Sequence, residues 1–165
     1  MDFKRLLRHV FTPHWIVYRS FSRAALQRIE AAIRESEKLH DGELRFALEA
    51  GLAPLAVARG LTARQRAAQV FGQLGVWDTE HNSGVLIYLQ LVDRDIEILA
   101  DRGIAARVDQ AAWDAICRRM EAAYRAGEFE SGTLQGIEEI TALLARNFPP
   151  DGANPNELPD QPVVL

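Results

Sequence analysis

Residues 77–104, WDTEHNSGVLIYLQLVDRDIEILADRGI, decide the fold. Within them GVLIYLQLV is apolar at odd and even positions alike, which predicts a central strand covered on both faces. DRD then turns the chain back, and IEILAD alternates apolar with polar, as an antiparallel neighbour does. Upstream, Asp41-Gly42 signals a turn, and Leu44, Phe46 and Leu48 alternate with Glu43, Arg45 and Glu49. That pattern predicts a strand with one dry face.

Helical periodicity fills the rest. Leu26, Ile29 and Ile33 follow a Ser22 cap, and Thr62 opens a second helix with Ala67, Val70, Phe71 and Leu74 inward. Two more helices run from about Asp109 to Ala126 and from about Gly132 to Arg146. The order helix, strand, helix, strand, strand, helix, helix predicts an α/β fold, a three-layer α/β/α sandwich with a small mixed β-sheet. We read residues 1–20 as a basic aromatic N-terminal arm, 21–149 as the α/β domain and 150–165 as a flexible Pro-rich tail.

Composition excludes several functions. The net charge of −4 speaks against nucleic acid as a partner. One cysteine, Cys117, allows neither a disulfide nor a thiolate zinc site, and it is expected to pack. No serine sits in a nucleophile elbow, and RGLTARQR lacks the Walker spacing. No apolar run approaches the 18 or more residues of a spanning helix and no cleavage site follows the basic start, so a cytoplasmic location is expected, peripheral to the inner face of the membrane if the arm binds it.

A helical crossover from Thr62 to Leu74 makes the first two strands parallel, so Glu43 lies at the same end of the sheet as His81 and Asn82. The third strand runs back and brings Asp101 and Arg102 to that rim, near Asp78 and Glu80. Clustered carboxylates raise one another's pKa unless a cation compensates them. Oxygen ligands favour Ca²⁺ or Mg²⁺, so Glu43, Asp78, Asn82 and Asp101 are the candidate metal ligands. Should the rim be catalytic, Asp78 or Asp101 would hold the metal, with Asp101 and Arg102 as the catalytic pair and Arg102 steadying a phosphoryl group. The other reading is a solvated rim of ion pairs.

The arm has its own chemistry. Residues 1–28 carry Lys4, Arg5, Arg8, Arg19, Arg23 and Arg28 against Asp2 alone, with Trp15 and Tyr18 among them. Such a mixture suits an anionic membrane surface or an acidic partner, or else Phe11, Trp15, Ile16 and Tyr18 staple the arm to its own core. His9 and His14, separated by Pro13, are expected to face solvent.

RAAQVFGQLGVWDTEHNSGVLIYLQLVDRDIEILADRGI, followed by WDAICRRMEAAYRAGEFESGTLQGIEEITALLARNFP, resembles the TPM-domain family over roughly Phe21 to Pro149. The resemblance implies an α/β/α sandwich, with roles across the family that include acid phosphatase, divalent-cation-binding domain and accessory factor for membrane proteins. Asn82 matches the family's asparagine before the glycine-led central strand, here Gly84. ADRG at 100–103 departs from the family's glycine-aromatic-glycine after the returning strand. The chain is similar to a short form lacking the signal peptide and transmembrane or glycine-rich tail of typical members. A binding or accessory module, taking a divalent cation and a protein or membrane-surface partner, is therefore expected, with a metal-dependent acid phosphatase acting on phosphomonoesters as the alternative.

Overall fold

The computed structural model describes residues 3–152 and 155–165; Asp2, part of the charge count above, lies outside them. The chain runs α1 (Phe3–Phe11), α2 (Ile16–Ser20), α3 (Arg23–Ser36), β1 (Glu43–Glu49), α4 (Pro54–Ala58), α5 (Ala63–Gln73), β2 (Gly84–Gln90), β3 (Asp95–Ala100), α6 (Arg102–Ala105), α7 (Gln110–Arg125), α8 (Phe129–Asn147) and β4 (Val163–Val164). The sheet order is β3-β2-β1-β4, with β1–β2 parallel and β2–β3 antiparallel.

Helix starts follow their capping chemistry. Ser22 Oγ accepts from the Ala25 N–H, and Thr62 and Gln65 form a reciprocal capping box at the head of α5. Helix α8 begins at Phe129 rather than Gly132 because the Phe129 ring packs on Phe21 and Tyr124, which extends the helix by most of a turn.

Two apolar layers enclose the sheet. On one face Leu44, Phe46, Leu48, Val85, Ile87, Leu89, Ile96 and Ile98 meet α3, α7 and α8 through Ile29, Ile33, Ile116, Met120, Ile137 and Leu144. On the other, Ala47, Leu86 and Tyr88 meet Ala67 and Val70 of α5, together with Val76 and Leu158. The architecture is the expected mixed three-layer sandwich.

Three features differ from the sequence expectation. All seven residues of β1 are buried, so this strand has two dry faces. Arg45 and Glu49 tolerate burial because they are partnered: Arg45 donates to the Pro159 carbonyl, while Glu49 accepts from Arg66 at 2.9 and 3.0 Å and from the Tyr88 hydroxyl at 2.7 Å. His9 is buried, where a solvent-facing ring was expected. Its Nδ1 accepts the Leu52 N–H at 2.9 Å and its Nε2 lies 3.1 Å from Asp93.

The third difference is the C-terminal segment, expected to be mobile. Val163–Val164 instead add to β1 as a short parallel edge strand, the Leu165 N–H donates to Leu48 O, and Leu158 is buried in the second apolar layer. The unpaired edge of β1 and its apolar face supply what a proline-rich composition alone does not reveal. Leu158→Ala is therefore expected to lower the unfolding free energy by about 2 kcal/mol, measured by chemical denaturation; a mobile tail would give no change.

Candidate functional site

The rim forms where β1 and β2 begin and β3 ends. Glu43 pairs with Gly84 and Val85 with Ala100, so Glu43, Gly84 and Asp101 form one row across three strands. Residues in register share a face. Bonds from Glu43 N to Ser83 O (3.0 Å) and from Asp101 N to Gly84 O (2.8 Å) fix the row.

Glu43 is fully buried. One carboxylate oxygen accepts the backbone N–H groups of Glu157 and Leu158 at 3.2 and 3.0 Å, and the other, Oε1, has no partner. Burial holds this carboxyl above its ordinary range, against the pull of those two N–H bonds, and the charges of Glu157 and Asp160 push the same way. Asp101 caps α6: Oδ1 accepts the Arg102 N–H at 2.7 Å, and Oδ2 is buried without a partner. Asn82, in the left-handed region at φ 53°, accepts from Arg102 Nε at 2.9 Å through its side chain and from the Gly103 N–H at 3.1 Å through its carbonyl. Sequence reasoning thus places Glu43, Asn82, Asp101 and Arg102 at one end of the sheet, and the fold brings them there.

They do not open on one cavity. Glu43 lines a cleft of about 380 Å³ with Arg34, Glu37, Lys38 and Asn156, whereas Asp101 lines one of about 260 Å³ with Arg64, Phe71 and Trp113. Between Glu43 and Asp101 the Val76 carbonyl packs against Gly84. Asp78 stands exposed on the turn before β2, with its N–H on Gly75 O and no side-chain bond to the other three. Among the described residues no group of three or more His, Cys, Asp or Glu is arranged to hold a metal.

The sequence placed His40 at this end of the sheet but offered no signal that Glu37 and Asp160 lie close to Glu43. Glu37, the C-cap of α3, accepts the Leu44 N–H at 2.8 Å, and burial pushes its carboxyl up to about 8. Asp160, in the proline-rich segment, pairs with Arg34 at 3.0 Å and accepts from Asn156 at 2.6 Å. His40, fully buried, accepts the Gly42 N–H at Nδ1 (3.1 Å) and faces Ser36 Oγ at Nε2 (2.8 Å). The thiol of Cys117, partly buried, is pushed up to about 12 by burial and so is no nucleophile. No helix among the described residues is long and apolar enough to cross a membrane.

Comparison with known proteins places this geometry. The NMR structure of the BA42 protein from the psychrophilic bacterium Bizionia argentinensis superposes with a TM-score of 0.78 at 30% identity, covering 88% of this chain and 95% of that one. No curated protein matches the chain. A model of the TPM domain matches residues 19–143, well over half of the 165 residues, and spans every element from α3 to most of α8. On this match and the likeness at 30% identity over 88% of the chain, the chain belongs to the TPM domain family.

Proposed function

We propose that the chain is a non-catalytic binding module of the TPM family that takes a divalent cation, Ca²⁺ or Mg²⁺, at the rim and offers its N-terminal arm to a protein or membrane-surface partner. One observation carries the cation: two buried carboxylate oxygens, Glu43 Oε1 and Asp101 Oδ2, lie at the same sheet end without a donor. An unsatisfied buried acceptor costs about 1–3 kcal/mol, which a hard cation would recover. Glu43 and Asp101 open on separate clefts, so each would offer its free oxygen to a cation in its own cleft rather than bridge a single ion. Asn82 Oδ1 is already engaged by Arg102, and Asp78 would have to be drawn in from solvent. With few carboxylates, affinity should fall in the weak range, a Kd of roughly 10⁻⁴–10⁻³ M.

Calcium titration followed by amide NMR is the test. Shifts are expected at Glu43 and Asp101 and their neighbours, and Glu43→Gln should weaken binding about tenfold or more. Because burial holds the Glu43 carboxyl above its ordinary range, uptake should release a proton and tighten as pH rises. The absence of any shift at millimolar calcium would remove the cation from the reading.

The phosphatase alternative has Arg102 and Asp101 in its favour, yet Arg102 is held by Asn82 and one Asp101 oxygen caps α6. We expect no turnover of an aryl phosphate with or without calcium. Turnover that disappears in Asp101→Asn would make the chain an enzyme.

A further inference from the structure

Helix α1 is mounted with its polar side inward. Arg5 Nε bonds Asp93 at 2.9 Å, Arg8 reaches the same carboxylate at 3.4 Å, and buried His9 bridges Asp93 and the Leu52 N–H. A surface helix ordinarily buries its apolar stripe and shows its charges to water. Lys4 and Arg8 keep that exposure and Leu6 is half-buried, yet most of the apolar side also faces out: Phe3 is 61% exposed, Leu7 39%, Val10 47% and Phe11 77%. These four lie within an arc of roughly 100° on the helix. Trp15 (61%) and Tyr18 (53%) follow it along the chain, and α4, the helix that α1 packs against, exposes Leu55 (61%).

The charge carried by this stretch of chain has one sign, although Asp93 pairs with two of its cations. Residues 3–23 contain Lys4, Arg5, Arg8, Arg19 and Arg23 and no acid, so the remainder of a chain with net charge −4 is strongly acidic. Lys4 and Arg8 follow Phe3 and Leu7 around the helix and border the apolar arc on one side. An anionic surface would therefore attract this face and repel the rest of the molecule. Tryptophan and tyrosine at the edge of the patch suit the headgroup region, where an apolar ring meets water.

From this arrangement we infer that the outward face of α1, with Trp15 and Tyr18, docks on an anionic lipid bilayer, lying in the plane of the interface. The inference rests on reading the arm as a partner surface, and it names the partner. His9, Arg5 and Asp93 are the positioning residues: they hold the helix by its polar side, so that its apolar side is available without unfolding. Leu52 and Asp93 follow the ends of β1 and β2, so α1 sits at the opposite end of the sheet from the rim, and a docked molecule presents Glu43 and Asp101 away from the bilayer.

The full chain sedimented with phosphatidylcholine vesicles carrying a quarter phosphatidylglycerol, in EDTA, should partition roughly tenfold or more above its level on pure phosphatidylcholine, and high salt should reduce that gain. Phe11→Glu and Trp15→Ser alter exposed side chains, so folding is preserved, and each should return partitioning to near the pure-phosphatidylcholine level. Equal partitioning of wild type and Phe11→Glu overturns the proposal. So does binding that appears only with calcium, which would place the lipid contact at the rim. A lipid-independent dimer in sedimentation velocity, dissociated by Phe11→Glu, also overturns it, because the face would then be covered by a second copy. Binding in EDTA stands even if the rim takes no cation, so the two readings fail separately.

Discussion

Gly84→Ala is expected to lower the unfolding free energy by about 4 kcal/mol or more, or to prevent folding altogether. A Cβ at this position would sit 1.9 Å from the Val76 carbonyl oxygen and 2.9 Å from Val76 Cγ1. The obstacle is backbone, and it is not free to retreat: Val76 is fully buried and its N–H donates to Phe71 O at 3.1 Å. Relief therefore requires the 76–83 segment to lift off the start of β2, which separates Glu43 from Ser83 and Asp101 from Gly84. Thermal unfolding should fall by roughly 10 °C. Gly72→Ala, inside α5 with nothing within 4 Å of its added Cβ, is the control and should stabilise by up to about 1 kcal/mol. A Gly84→Ala protein within 1 kcal/mol of wild type, on the scale of ordinary substitutions, would mean that the rim row is not packed as described.

Acid should destabilise the protein through His40. Burial lowers this imidazole to about 4 from its ordinary 6.5, although the Gly42 N–H contact and the Asp41 charge work against the shift. The bonding explains why the neutral ring is wanted. Nδ1 must accept from Gly42, which leaves the proton on Nε2 to donate to Ser36 Oγ. Ser36 then donates to Thr141 Oγ1 (2.6 Å), and Thr141 donates to Ile137 O (2.6 Å). A second proton on Nδ1 breaks the first link of that chain.

The sign follows from the depressed pKa. The unfolded chain binds the proton first as pH falls, so the contribution of His40 is complete above about 6.5 and is lost progressively down to about 4. Its size is about 3 kcal/mol. Glu37, pushed up to about 8, and Asp95, pushed up to about 6 by burial, act in the opposite sense, since they lose stability as pH rises toward those values. The comparison to make is therefore wild type against His40→Gln at each pH. The gap between them should shrink by about 3 kcal/mol from pH 7 to pH 4. A constant gap would show that His40 is not held neutral.

Much of the architecture was legible because hydrophobic period reports local geometry directly. Gly84–Gln90 is apolar at every position and is covered on both sides; Ser22, Thr62 and Asp109 carry capping oxygens and all three cap helices. The parallel β1–β2 pairing followed from the α5 crossover, and with it the meeting of Glu43, Asn82 and Asp101 at one rim.

The misreadings share one physical cause. Burial of β1 on its second face depends on α5 and on residues 157–165, more than a hundred positions away, and the alternation of Glu43, Arg45 and Glu49 contains no trace of their partners. In the same way, neither His9 nor the proline-rich segment shows in its own composition that Asp93 or the edge of β1 is waiting for it.

Period, caps and the helical crossover determined the layers, the strand directions and the end of the sheet where polar residues collect, because each follows from local pattern and from the connection between neighbouring strands. Tertiary structure alone decided which carboxylate oxygens lack a donor, that Glu43 and Asp101 face separate clefts across the Val76 carbonyl, and that α1 turns its apolar side outward. Those outcomes depend on which distant groups desolvate and bond a side chain in the folded molecule, and a linear pattern holds no record of them.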